Sequence, residues 1–398
     1  MSRNSKLMKS AAIALMQIAL VSATAIEASA ADTNYELKPI NLPGASGPVA
    51  LDYFAYDGAT GKLWVPASNT GSVDVIDEAT GAISQVTGFA TGEIERRGRK
   101  ITVGPTSASV GDGVIYIGNR GDATLCVIDA KSLARLDCVP VSADHLVTPD
   151  GVAYVAAARE LWVTLRTKSG DNAPAKCLEI LDASDPHHLK PKTKIPLENL
   201  AEGYAVDNQH GIFFTNIEDA GKTVAIDVHT HKVIATLNPG SSDLQGLALD
   251  NARNFLFVAC GDHVVSIDAG HGGKVIDSIT TGSGLDNIDY SSDRKFLYAA
   301  ASQAANLTIA EVDDNGKFHL KATVPTVKGA RGVVAGKGET AYLIDPAEGR
   351  ILKLTRKSDS PLSIFSKNNW FADSRPRRVV ELAGRGEKHP PSTLRLNL

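Results

Sequence analysis

Seven segments of this chain stack on one aromatic position, and that stack leaves few folds open. They are KLWVPAS, VIYIGNR, ELWVTLR, GIFFTNI, FLFVACG, FLYAAAS and TAYLIDP, aligned on Trp64, Tyr116, Trp162, Phe213, Phe257, Tyr298 and Tyr342. Successive aromatics lie 41 to 52 residues apart. A period of that size belongs to the blades of a β-propeller. Each copy reads as four short strands: a small apolar one (GLALD, GYAVD), a polar turn, the aromatic strand, an alternating strand (SVDVID, VVSID), and a last strand such as HKVIATL. Alternation and turn residues both favour strands, and no segment carries a helical period. The aromatics fit a layer between twisted sheets rather than a cofactor stack. The expected fold is all-β: a seven-bladed β-propeller of four-stranded blades.

The seventh copy has three strands before the chain leaves it near Arg356, whereas NYELKPINLPG, residues 34–44, resembles the last strand of the other copies. Pairing that N-terminal strand with the last blade would close the ring and remove an exposed edge. The propeller domain is therefore expected over 31–356. Residues 1–30 read as a cleaved secretory leader, with Arg3, Lys6 and Lys9, an apolar stretch, and Ala28-Ser29-Ala30 at its end. The expected location is the periplasm. The tail, 357–398, has little periodicity and is expected to be disordered. No later stretch is long and apolar enough to span a bilayer.

YIGN at 116–119, FFTN at 213–216 and VDVIDEATGAI at 73–83 resemble the YVTN-type repeats of exported YncE-like propellers. The likeness covers the mature chain except the tail. It implies the propeller fold, but similar repeats serve binding proteins, surface proteins and lactonases, so it leaves function open.

Removing residues 1–30 takes away three bases and one acid, moving the formal net charge from −4 to −6. That balance argues against nucleic acid as a partner. The expected protein is a monomer. Four cysteines in an exported chain invite a disulfide. Cys126 and Cys138 flank the turn in CVIDAKSLARLDC and would face each other across a hairpin, as a bridge or as two free thiols. With no CxxC or CxxCH, no dinucleotide fingerprint and no Walker-type loop, the sequence carries no haem, nucleotide or flavin signal.

Two columns of the repeat carry acids. Asp77, Asp129, Asp182, Asp227, Asp268 and Asp313 recur just before the third turn, where an Asp accepts hydrogen bonds from the turn's own N–H groups; this column is structural. The other column opens the first strand of each copy: Asp52, Thr106, Asp150, Glu202, Gln245, Asp286 and Arg331. In a propeller these positions ring the mouth of the central channel. Asp52, Asp150, Glu202 and Asp286 are the candidate ligands for a hard cation such as Ca²⁺, which takes about six to eight oxygens. The plainer reading is a hydrated polar channel whose acids never meet.

Loops on the same face add His145 and His263 as candidate bases, and Asn119, Arg120, Asn216 and Glu218 as polar groups. The longest insertion, GFATGEIERRGRKITVG at 88–104, carries Arg96, Arg97, Arg99 and Lys100, a set able to grip an anion. No GxSxG or HExxH motif supports covalent or zinc hydrolysis. Two readings follow. In the first, the mouth binds a small ligand, peptide or partner protein, using Arg96, Arg97, Asn119, Arg120, Asn216, Gln245 and Arg331. In the second, the chain is a calcium-dependent lactone or ester hydrolase, as the likeness to propeller lactonases implies, with His145 or His263 moving the proton.

Overall fold

The computed structural model describes residues 34–96, 99–168 and 172–357. The leader-like start, Arg97, and the tail beyond its first residue lie outside the described residues. Strands pair antiparallel in sequence order within each repeat and form seven four-stranded sheets. The only helical turns among the described residues are two three-residue 3-10 turns. The sheets are blade 1 (55–86), blade 2 (105–140), blade 3 (147–196), blade 4 (201–237), blade 5 (244–280), blade 6 (285–325) and blade 7 (333–356). Their first strands touch one another in succession around a circle that closes between blades 7 and 1. The fold is a seven-bladed β-propeller.

Closure uses the N-terminal strand, as its sequence suggested. Tyr35–Asn41 pairs antiparallel with Arg350–Arg356, from Tyr35 opposite Arg356 to Asn41 opposite Arg350. It supplies the outer strand of blade 7.

One apolar cluster fills each blade-to-blade interface. Trp64 packs with Ile115 and Ile117 of blade 2, and Tyr342 with Leu63 of blade 1. Trp162 meets Phe213 of blade 4 with ring centroids 4.7 Å apart. Phe213 corrects the sequence register. In the other blades the aromatic pairs with the residue three places after the channel-mouth position: Trp64 with Ala55, Tyr116 with Ser109, Trp162 with Ala153. In blade 4 that pairing belongs to Phe214, opposite Ala205. Phe214 faces blade 5, while Phe213 turns back toward blade 3. Two adjacent aromatics gave the sequence no means to choose; strand pairing chooses.

The recurrent pre-turn Asp column is structural. Asp77, Asp129, Asp182, Asp227, Asp268 and Asp313 accept turn N–H groups of Thr80, Ser132, Ser184, Thr230, His271 and Asn315 at 2.6–3.0 Å. Cys126 and Cys138 face each other on neighbouring strands of blade 2 and form a disulfide; Cys177 and Cys260 are buried free thiols.

The two tryptophans of the interface layer differ in one polar contact. Trp162 Nε1 donates to buried Glu160 Oε2 at 2.8 Å, whereas buried Trp64 Nε1 has no partner among the described residues. Losing a hydrogen bond to a buried charged partner costs about 1–3 kcal/mol, and an unmade bond costs nothing to lose. Trp162→Phe should therefore destabilise more than Trp64→Phe by about that amount in urea denaturation. Equal losses would show that the Trp162–Glu160 contact contributes nothing.

Candidate functional site

The first-strand starts do converge on one end of the channel, but they do not stand there alone. Two arginines reach them from a neighbouring repeat position. Arg120 follows the strand Val114–Asn119 and Arg166 lies near the end of Glu160–Thr167. Each sits four residues after its blade's aromatic, Tyr116 or Trp162. Counted from Phe214, the same position in blade 4 is Glu218. Arg331 comes from the first-strand column itself.

These side chains form a chain of alternating charge around the mouth. Arg166 pairs with Glu202, with Glu218 at 2.8 Å, and with Asp150 at 3.0 Å. Arg120 also pairs with Asp150 and reaches Asp52 at 3.8 Å, while its Nε donates to Pro149 O at 3.1 Å. Arg331 bridges Asp52, at 3.2 Å, to Asp286, and donates to Leu51 O at 3.2 Å. The order is Glu202, Arg166, Asp150, Arg120, Asp52, Arg331, Asp286. The break falls at Gln245 of blade 5, between the two acids that end the chain.

Charge-assisted pairs of this kind fix side chains firmly, and removing one partner leaves the other buried and uncompensated. Glu202 shows that compensation is incomplete. Burial pushes its carboxyl up to about 7; Arg166 opposes the shift, and Asp286, Glu218 and Asp52 add to it. Asp286 is raised too, by burial first, against the pull of Arg331. Burial also raises the Tyr53 phenol, followed by the fields of Glu202, Asp52 and Asp286.

The ring borders a cavity of about 590 Å³, and a smaller one of about 280 Å³ lies deeper along the same strands. Between them, Tyr53 of blade 1 stacks on Tyr204 of blade 4, centroids 5.8 Å apart and planes at 17°. The Tyr204 hydroxyl donates to Val152 O at 2.6 Å. Next to the ring, Gly203 and Gly246 let blades 4, 5 and 6 close tightly, since a Cβ there would lie 2.6 Å from Gln245 O or 2.5 Å from Asp286 O. Tyr53 occupies the corresponding position in blade 1 and floors the mouth.

The long insertion is a β-hairpin, Gly92–Arg96 with Arg99–Val103, in which Ile94 lies opposite Ile101. The mouth cavity is lined by Ile94, Glu95, Ile101 and Val103 of this hairpin. Lys100 is exposed beside Glu93 at 3.5 Å. Arg96 closes the first hairpin strand, and Arg97 lies outside the described residues.

The other sequence candidates divide clearly. Arg120, Gln245 and Arg331 line the mouth. Asn119 is buried, donating to Ala90 O and accepting from Gly121 N; Asn216 donates to Gln245 O and accepts from Thr223. Both amides hold loops together. His263 pairs with Asp262 at 2.8 Å in a side groove that shares Gln245, Asp286 and Arg331 with the mouth. His145 is exposed and lines neither cavity. Arg166 was missed because Arg and Lys near strand ends are common; counting four residues past each aromatic would have found it. A calcium ion does not fit this donor set. Asp52, Asp150, Glu202 and Asp286 each face a guanidinium, and among the described residues no three His, Cys, Asp or Glu converge as metal ligands.

No protein-family model and no curated protein matches the chain. Solved propellers do. A chain of a Mitotic Checkpoint Complex is 13% identical with a TM-score of 0.63, covering 90% of this chain and 99% of that one. The Cps50 (Swd1) beta-propeller domain of Myceliophteria thermophila is 12% identical with a TM-score of 0.62, over 81% and 100%. The WD40 repeats of RRP9 are 8% identical with a TM-score of 0.59, over 82% and 98%. Such identities carry the fold alone.

Glu202 gives the site a pH signature. Between an ordinary glutamate value of 4.5 and about 7, the folded chain holds a proton that the unfolded chain has released. Stability therefore falls as pH rises through that window and is lowest above it. The melting temperature should drop between pH 5 and 8 in the wild type and drop less in Glu202→Gln; parallel curves would contradict the assignment.

Proposed function

We propose that this chain is an exported binding protein whose channel-mouth face takes a small ligand, peptide or partner protein. The observation that carries the reading is the mouth itself: a cavity of about 590 Å³ whose charged side chains are held in place by one another before any ligand arrives. Such preorganisation lowers the entropy cost of binding. The hairpin 92–103 adds an apolar wall. The leader-like start and the Cys126–Cys138 bridge support a periplasmic setting. The hydrolase alternative would need carboxylates free to gather round one ion, and their commitment to Arg120, Arg166 and Arg331 weighs against it.

Equilibrium dialysis against a mixture of amines, acids, sugars and short peptides tests the reading. The wild type should retain components that Gln245→Trp, which fills the mouth, does not. Identical retention by two equally folded proteins would overturn it. Calcium added to the wild type should leave the melting temperature unchanged; a rise of several degrees would restore the metal-dependent alternative.

A further inference from the structure

One carboxylate in the channel departs from the repeat without a structural need for its charge. Three residues past the mouth ring, the first strands carry Ala in blades 1, 3, 4 and 5, Ser109 in blade 2 and Val334 in blade 7; blade 6 has Asp289. Asp289 lies opposite the aromatic Tyr298 of its own blade, as its counterparts lie opposite theirs. Its Oδ2 accepts the N–H of Ala335 in blade 7 at 2.8 Å, and its Oδ1 that of Tyr290 at 2.8 Å. The bond between blades has a counterpart in blade 2. There Ser109 Oγ accepts the N–H of Tyr154 in blade 3, the same repeat position as Ala335, at 2.9 Å. A neutral hydroxyl makes in blade 2 the joint that a carboxylate makes in blade 6, so the negative charge is surplus to the joint.

That charge also lacks a counter-ion. Burial pushes the Asp289 carboxyl up to about 6, opposed only by the two N–H donors, and among the described residues no Lys, Arg or His pairs with it. Every carboxylate of the mouth ring, by contrast, meets a guanidinium. A carboxylate held away from water without a counter-ion is costly, and an incoming cation relieves the cost. The surroundings of Asp289 are open to one. It lines the cavity of about 280 Å³ beneath the Tyr53–Tyr204 stack, together with Tyr53, Tyr56, Tyr204 and aliphatic side chains. The other carboxylate on that wall, Asp52, is engaged by Arg331. One uncompensated negative charge within an aromatic and aliphatic wall is a setting that holds organic cations.

We infer that this lower cavity is a second binding site, which takes a small organic cation such as a methylated ammonium group, with Asp289 as its counter-ion and the tyrosines as its wall. The site goes beyond the mouth-binding reading and stands whether or not the mouth binds a ligand. A volume near the low end of ligand pockets, about 300 Å³, keeps the ligand small. Binding requires ionised Asp289, so it weakens as pH falls through about 6. The titratable groups around Asp289 are Tyr298 on the paired strand, and Asp52, Tyr53, Tyr56 and Tyr204 on the cavity wall. All four phenols are raised by burial and stay neutral there.

Tetramethylammonium is permanently charged, so pH acts only on the protein. Isothermal titration of the full chain at pH 8 and low salt should show it binding at least about ten-fold more tightly than neutral tert-butanol, a difference of about 1.4 kcal/mol. Asp289→Ser, which copies blade 2, and Asp289→Asn should each abolish that preference while melting within a few degrees of the wild type. In the wild type the preference should shrink between pH 8 and pH 5, and in the folded variants it should be absent at both. Variants that fold and still bind tetramethylammonium as tightly as the wild type would overturn the inference. So would no saturable binding by the wild type at tens of millimolar. If both variants melt far below the wild type, the charge is structural and the inference falls; if only one does, the other decides. The Gln245→Trp dialysis decides the mouth separately.

Discussion

The pairing of Tyr35–Asn41 with Arg350–Arg356 joins the two ends of the repeat array, and the remaining architecture depends on it. Seven twisted sheets stacked side by side have two open edges unless the first and last meet. Closure makes every interface equivalent in kind, each filled by one apolar cluster. It also turns seven separate first-strand starts into a ring. Asp52 and Arg331 lie at opposite ends of the array in sequence, and they are 3.2 Å apart only because the array closes.

The ring then solves an electrostatic problem. Four carboxylates at one end of a channel would repel one another if left to water alone. Arg120, Arg166 and Arg331 are interleaved with them, so Asp52 and Asp150 meet a guanidinium on each side and Glu202 and Asp286 on one. The solution stops short at blade 5, where Gln245 stands and no arginine follows. Burial and residual negative field together lift Glu202 to about 7. Below the ring, Tyr53 fills the axis and stacks on Tyr204, so the mouth has a floor as well as a charged rim. Fold and site are thus one construction: Gly203 and Gly246 let blades 4 to 6 approach closely, and Tyr53 of blade 1 meets Tyr204 of blade 4 beneath the ring.

Much of this was legible in the sequence. The aromatic period, the turn Asp column, the closing strand at 34–44 and the mouth column all follow from repetition, because a repeated environment forces repeated residue types. What escaped was what repetition does not specify. Phe213 and Phe214 are both large and apolar, and only the pairing of Phe214 with Ala205 separates them. That one-place slip hid the kinship of Glu218 with Arg120 and Arg166. The insertion at 88–104 read as a basic loop because its charges outnumber its apolar residues, yet Ile94 and Ile101 pair and line the mouth. Asn119 and Asn216 read as ligand contacts, yet both are buried in loop hydrogen bonds.

The central claim is that the described side chains give the mouth an excess of negative charge centred on Gln245. A reporter thiol placed there measures it most directly. The native thiols stay silent, since Cys177 and Cys260 are buried and burial pushes Cys260 up to about 12. The Gln245→Cys thiol should titrate above the ordinary value of about 8.5 at low ionic strength and move back toward it as salt is added. A thiol titrating below about 8.5 and rising with salt would mean that the three guanidinium groups dominate the mouth, and the account would be wrong.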